Sequence, residues 1–384
     1  MNKLVFNRSC FIGINSINVL EEEIANRHFK KAFIITDNGL IECGIVQKVI
    51  AILIKNKIPS VIFSDVTPEP SVKDVKNAYN ELKRSNADFI LAIGGGSPID
   101  TAKAISIIYT NPKYADVISL SGHKDNLNTP LPIFAIPTTA GSASETSKSF
   151  VINDEIIGKK IICFNDKCLP IETIIDADLM TTMPDIVTLS SGFDALCHAI
   201  ESLIAKNANP FTKTLAKEAM KLVVQNLPVC YDEPNNLEAR ENMAYAQYMA
   251  GVSYTNSGLG IAHSIAHGIN AKFKIPHGII LSMVICAVLK YNMYSPASKE
   301  YKALADAFDI DTTNMKSEEI CRSAIRELEK FRDSFNIPKK LSDYGLKEAD
   351  LDEIALNSFE DACTASNPRE TTMTDIYTIL KKLL

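Results

Sequence analysis

An α/β unit with a mostly parallel sheet, followed by an all-helical unit, is the architecture this sequence predicts, and three observations predict it. Short apolar runs rich in β-branched residues alternate with helical-period stretches through the first half of the chain. From about Pro184 onward the strand signal stops and long amphipathic segments take over. At 384 residues, 46% hydrophobic and 22% charged, the chain is long enough to bury two separate cores.

The predicted strands are KKAFIITD (30–37), SVIFSDV (60–66), ADFILAIGGGS (87–97) and PIFAIPTTAG (132–141), with polar or glycine residues at or beside their C-terminal ends. Gly44 to Asn56 and Val72 to Ser85 read as the helices between them. That rhythm is the signature of βαβ units, whose crossovers make the strands parallel. The boundary falls in TTMPDIV, where Pro184 forbids continuation of a preceding helix and Asp185 is placed to help cap the next. The predicted domains are therefore 1–183 and 184–384. Beyond the boundary, Phe211 to Asn226, Leu237 to Tyr254 and Lys316 to Asp333 read as helices, and there is no internal repeat or low-complexity tract.

A formal net charge of −6 and the absence of a clustered basic block argue against a nucleic-acid partner. Nine scattered cysteines without a CxxC pair fit reduced thiols in a cytoplasmic protein rather than a disulfide framework. The N-terminal MNKLVFNRSCFIG lacks a signal-peptide layout, and the longest apolar run, Ile279 to Leu289, is short for a bilayer core of about 30 Å. A soluble, cytoplasmic protein with no membrane partner is expected.

FILAIGGGSPIDTAKAI reads as a strand, a three-glycine turn and a helix start. Gly94, Gly95 and Gly96 permit positive φ and close backbone approach. The open N–H groups of the next helix favour a phosphate, Ser97 adds a hydroxyl, and Pro98 suits the first turn. Thr138 and Thr139 follow another strand, and the C-terminal ends of parallel strands share the edge where ligands bind. Asp37 ends a third strand; it reads either as an acceptor for the adenine ribose hydroxyls, favouring NAD over NADP, or as an Asx turn before Asn38-Gly39.

The second signal is histidine. Asp194 and His198 are four apart in FDALCHAIESLIA, His263 and His267 are four apart in GIAHSIAHGIN, and His277 follows in IPHG. A spacing of four puts two side chains on one helix face, so each pair is able to point at one ion. One carboxylate with imidazoles suits Fe(II), Zn(II) or a similar divalent cation. Against this stands the reading of each pair as hydrogen-bonded core residues.

Taken together, TDNGLIECGIV, the TPEPS turn at 67–71, GGGSPIDTAKAI, NPKYADV, PTTAGSASE, IDADLMTTMP, GFDALCHAIE, GLGIAHSIAH, IPHG and DACTASNPRE make the chain resemble the iron-dependent (group III) alcohol dehydrogenases over essentially its whole length. The resemblance implies a dinucleotide-binding α/β domain followed by a metal-binding helical domain, the dehydroquinate-synthase-like architecture, and usually a homodimer. It implies Fe(II), with Zn(II) as the rival occupant, held by Asp194, His198, His263 and His277, and NAD(H) contacted by Asp37, Gly94, Gly95, Gly96, Ser97, Thr138, Thr139, Lys160 and Leu179. His267 matches a histidine lining the substrate and nicotinamide site, where it is expected to relay a proton. Ser149, Val151, Tyr254, Leu259 and Cys363 fall at positions expected near the substrate. The implied reaction interconverts a small aldehyde or hydroxyaldehyde with a primary alcohol or diol.

Three departures stand out. Glu69 occupies a position where relatives tend to carry Asn, which alters the local cofactor contact; Gly268 replaces a frequent Pro, which is expected to loosen one wall; and Ser149 stands in place of Asn. Zinc-dependent glycerol dehydrogenases and dehydroquinate-synthase-like lyases share the glycine turn but not GFDALCHAIE. A non-catalytic homologue that kept the fold is the alternative outside enzymology, and the intact ligand set with His267 counts against it.

Overall fold

The structure is a computed structural model and describes residues 3–384. In the first unit the strands are β1 (Cys10–Ile12), β2 (Ala32–Ile35), β3 (Ser60–Phe63), β4 (Phe89–Gly94), β5 (Gly122–His123), β6 (Ile133–Pro137), β7 (Ser149–Asp154), β8 (Lys159–Phe164) and β9 (Glu172–Ile175). Its helices are α1 (Val19–Arg27), α2 (Asn38–Glu42), α3 (Ile45–Lys55), α4 (Val72–Ser85) and α5 (Gly96–Thr110). Six strands form one parallel sheet in the order β1-β9-β6-β4-β2-β3. The central strands β2, β4 and β6 are buried throughout, as their unbroken runs of Ile, Phe, Leu and Ala require of a sheet covered on both faces. One core lies on each face, one around Phe33, Ile90 and Ile105, the other around Ile34, Phe89 and Phe134.

A second sheet, β5-β8-β7, was not anticipated from the sequence, and its β7–β8 pair is antiparallel. The residues of β7 alternate in burial, and no α-helix separates it from β6 or β8, so it lies outside the βαβ rhythm.

The helical unit holds α6 (Asp185–Ile204), α7 (Pro210–Asp232), α9 (Ile261–Asn270), α10 (His277–Asn292), α11 (Tyr301–Ala307), α12 (Ser317–Asp333), α13 (Leu351–Glu360) and α14 (Met373–Lys381). Helix α8 (Leu237–Ser257) is divided, because Pro234–Ala244 groups with Leu4–Met183 while Pro184–Glu233 and Tyr245–Leu384 form the other unit. A cut at a single chain position therefore misassigns the start of α8. At the head of α6, Pro184 is the cap residue and no side chain caps it; Asp185 lies in the first turn, where its charge favours the helix dipole. No single helix among the described residues is long and apolar enough to cross a membrane, and all nine cysteines are free.

Candidate active site

Asp194 sits mid-way along α6, buried, with three imidazoles around one carboxylate oxygen. From its Oδ1, His263 Nε2 is 3.5 Å away, His198 Nδ1 3.6 Å and His277 Nε2 3.9 Å. Ligand atoms of Asp194, His263 and His277 all lie within 4.8 Å of one another. His198 lies outside that tightest group but stacks its ring on His263 with centroids 4.5 Å apart, and on its other side against Tyr254 at 4.4 Å.

Hydrogen-bond partners aim these rings. Glu201, two turns beyond Asp194 on α6, accepts from His263 Nδ1 at 2.6 Å and from the backbone N–H of Ala262 at 2.8 Å, so one buried carboxylate both caps α9 and fixes the ring. An ionised carboxylate only accepts, which places a proton on Nδ1 and turns Nε2 toward Asp194. The approach needs Gly260, because a Cβ there would lie 2.7 Å from Glu201 Oε1. Asn270 donates from Nδ2 to the Ile275 carbonyl, leaving Oδ1 to accept from His277 Nδ1 at 3.0 Å. His277 opens α10, and the next residue allows that helix to abut α6: a Cβ on Gly278 would lie 1.7 Å from the Ser190 carbonyl oxygen.

Burial opposes charge on Asp194, but the neighbouring imidazoles outweigh it and hold the carboxyl well below its ordinary range. Burial likewise opposes charge on His263, yet Asp194 and Glu201 raise its pKa to about 9. Two atoms at this focus, Asp194 Oδ1 and His263 Nε2, are buried and make no hydrogen bond. Unpaired polar atoms of this kind are costly in an interior, and a divalent cation satisfies both. Metal–ligand bonds of about 2.0–2.2 Å in a tetrahedron separate ligand atoms by roughly 3.3–3.6 Å, close to the spacings around Asp194 Oδ1. The donor set and its spacing fit Fe(II) or Zn(II).

His267 belongs to a different group. Its Nδ1 is 2.9 Å from Asp361 Oδ2, and Asp361 Oδ1 accepts the Cys363 backbone N–H at 2.9 Å. Burial raises the Asp361 pKa, but His267 and the Cys363 hydrogen bonds prevail and bring it down to about 2. Burial also pushes the Cys363 thiol up. Glu201, Asn270 and Asp361 were missed in the sequence, although Glu201 lies seven residues after Asp194 on the same helix face, a spacing that could have flagged it. The expectation that Gly268 loosens a wall is corrected: a Cβ there would lie 2.5 Å from Ser358 Oγ and 2.9 Å from the Ile354 carbonyl, so the missing side chain lets α13 close tightly on α9.

In the α/β unit, β4 and β6 end together and the N–H of Thr138 donates to the Gly94 carbonyl at 3.1 Å. Gly94 has φ +146°, where a side chain would strike Pro98. The bare faces of Gly95 and Gly96 are taken up by Thr139 and Ser142, whose side-chain atoms would lie 3.0–3.2 Å from an added Cβ. Helix α5 begins with no side-chain cap, which leaves its first N–H groups open to an anion. Asp37 is the N-cap of α2 and accepts from the Leu40 N–H at 3.1 Å, three residues on rather than the two of an Asx turn. Lys160, on β8, is ion-paired with Glu69, and Leu179 is packed in the core.

Of the remaining positions, Val151 donates its N–H to Asp100 Oδ2 at 2.8 Å, and the Ser149 hydroxyl is 2.7 Å from that of Ser147. The Ser149 carbonyl accepts from the buried Lys103. Leu259 is buried.

Two family models account for nearly all of the chain: iron-containing alcohol dehydrogenase over residues 7–177, and the C-terminal part of the Fe-containing alcohol dehydrogenase family over 188–384. The chain belongs to the iron-containing alcohol dehydrogenase family. It is 36% identical over 377 residues to lactaldehyde reductase of Escherichia coli (strain K12), covering 98% of this chain and 97% of that protein. It is 35% identical over 373 residues to the NAD-dependent methanol dehydrogenase of Bacillus methanolicus, covering 97% of each. Among solved structures, 1,3-propanediol oxidoreductase superimposes with a TM-score of 0.96 at 32% identity, and each chain is covered completely. The family consists of oxidoreductases, and the α/β sheet followed by a helical unit is its fold.

Proposed function

We propose that this member of the iron-containing alcohol dehydrogenase family is a metal-dependent, NAD(H)-linked reductase of small aldehydes, interconverting a lactaldehyde-like or other short hydroxyaldehyde with a primary alcohol or diol. The observation that carries the reading is the buried, hydrogen-bond-free pair Asp194 Oδ1 and His263 Nε2 at the focus of three imidazoles. Asp194, His198, His263 and His277 would hold the ion. Once bound, the ion supplies Lewis acidity toward the substrate oxygen, and the nicotinamide supplies the hydride.

The chain's own groups do the rest. Glu201 and Asn270 keep two rings aimed, and Asp361 holds His267 with Nδ1 engaged and Nε2 available to pass a proton to the alkoxide oxygen. The open N-terminus of α5, with Gly94, Gly95, Gly96, Ser97, Thr138 and Thr139, takes the cofactor pyrophosphate; Asp37, Lys160 and Leu179 contact the rest of the dinucleotide. Ser149, Val151, Tyr254, Leu259 and Cys363 line the substrate. Family membership favours iron as the occupant, while zinc binds such N/O sites at least as strongly, so supply decides between them. The protein works in the cytoplasm as a homodimer.

The test is a panel of short aldehydes assayed with NADH on protein stripped and reloaded with Fe(II) or Zn(II). The expected result is ion-dependent NADH oxidation that is fastest with two- and three-carbon hydroxyaldehydes. Equal rates in stripped and reloaded protein would refute the ion's role, and preference for an unsubstituted alkyl aldehyde would refute the substrate class.

A further inference from the structure

The TPEPS turn is pinned from several directions. Thr67 Oγ1 and the Ser71 N–H both donate to Asp74 Oδ2, at 2.6 and 2.9 Å, and the Pro70 carbonyl accepts the Asn153 N–H at 2.8 Å. Asn153 on β7 pairs across the hairpin with Lys160 on β8. This chain of contacts brings Glu69, at the crest of the turn, to Lys160, and their side chains form an ion pair. The lysine side chain is only 5% exposed and the glutamate 37%, so the pair sits at the lip of an interior corner. The backbone N–H of Glu69 donates to Ser97 Oγ at 3.2 Å, tying the same residue to the second position of α5, beside the glycine turn.

Glu69 holds this place with φ +59°, in the left-handed region. Asn is several-fold enriched there and Glu is not. A carboxylate on a longer stem is therefore a poor backbone choice at this position, and its electrostatic consequence is specific. It cancels the charge of Lys160 next to an open helix N-terminus, where a polyanionic ligand would otherwise meet an unopposed cation.

We propose that Glu69 is a specificity-determining residue that sets dinucleotide affinity: it is the counter-ion Lys160 must exchange for the cofactor, and it keeps NAD(H) binding weak and release fast. This rests on the glycine turn of α5 being the cofactor site. Removing the negative charge while keeping the turn should tighten binding.

The experiment is fluorescence titration of NADH into the metal-loaded protein, comparing the parent with Glu69→Asn, Glu69→Gln, Lys160→Met and the Lys160→Met/Glu69→Gln double variant at two ionic strengths. Both single Glu69 variants should lower the NADH Kd at least threefold at low salt. The gain should shrink at high salt, as screening predicts, and largely vanish in the Lys160→Met background. Glu69→Asn should also unfold no earlier than the parent, since Asn suits the left-handed backbone. An unchanged or raised Kd in both single variants, with the parent binding NADH, overturns the role of Glu69. No NADH binding by the parent, or parent-like affinity in a Gly96→Val variant that remains folded, overturns instead the assignment of the glycine turn as the cofactor site.

Discussion

The ion focus of the helical unit and the glycine turn of the α/β unit solve opposite problems. Around Asp194, ligand atoms face one another at 3.5–3.9 Å, with the buried Asp194 Oδ1 and His263 Nε2 making no hydrogen bond, while residues behind them hold each ring in place. Around Gly94 to Ser97, Ser97 Oγ accepts the Glu69 backbone N–H, the Glu69 carboxylate pairs with Lys160, Thr139 packs over the bare face of Gly95, and what stays open is the backbone at the start of α5. The difference follows from what each would bind. A small cation is gripped by a few converging side chains, whereas a dinucleotide phosphate is met by several helix N–H groups that side-chain replacement short of proline leaves in place. Single replacements should therefore be severe in the first region and graded in the second.

The largest effect is expected from His263→Ala. Lewis-acid assistance is worth several kcal/mol, so losing the ion should lower turnover by roughly 10²–10³-fold. Elemental analysis and kcat on the same sample check it. A variant retaining full metal and full turnover would remove the contrast between the two regions, because His263 would then be an ordinary core residue.

Glu201→Gln keeps the shape behind His263 and removes the charge. Outer partners of this kind typically change metal affinity or activity by about 10–100-fold, so the variant should need more free Fe(II) for half-maximal activity while approaching the parent rate at saturation. A loss that excess ion does not restore would mean that Glu201 acts through the fold of α9 instead.

A third test uses protons. In the ion-free protein the His263 pKa is raised to about 9, so the ring is charged at neutral pH. Because the folded value lies above the ordinary one near 6.5, this protonation stabilises the ion-free fold fully below pH 6.5 and is lost as the pH climbs through 9. A cation needs the bare Nε2, so metal uptake should release close to one proton at pH 7 from this ring, and affinity should rise about tenfold per unit up to pH 9. Calorimetry of Zn(II) binding in buffers of differing ionisation enthalpy reads the proton directly. Dinucleotide binding at the glycine turn, with no comparable ring, should release none.

What the sequence disclosed of these two regions follows the range of the interactions. The strands β2, β4 and β6 were legible because a doubly covered strand must be apolar along its length. The pairs Asp194/His198 and His263/His267 were legible because helix geometry converts a spacing of four into a shared face. The same rule also suggested that both members of each pair reach one ion. The structure divides the second pair, turning His263 to Asp194 and His267 to Asp361. Spacing alone does not make that division, which only the family resemblance implied, because the partners that choose each ring's direction stand 62 and 94 residues away in the chain. The β7–β8 hairpin escaped because no α-helix lies between β6 and β8, so its two strands fall outside the strand–helix rhythm by which the parallel strands were read.

The smallest expected effect probes the graded side of the comparison. Asp37 accepts the Leu40 N–H and so caps α2, and substituting Gly at such a cap costs only a few tenths of a kcal/mol. Stability should hardly move. With Asp37 at the ribose as proposed, its carboxylate would repel a 2′-phosphate, and on that account Asp37→Gly should raise kcat/KM for NADPH relative to NADH by about tenfold, the equivalent of roughly 1.4 kcal/mol. Steady-state rates with both cofactors on one aldehyde decide it. An unchanged ratio with an unchanged melting temperature would leave Asp37 as a helix cap alone. A collapse of both rates would give the α/β unit the kind of single-residue dependence expected only of the ion focus.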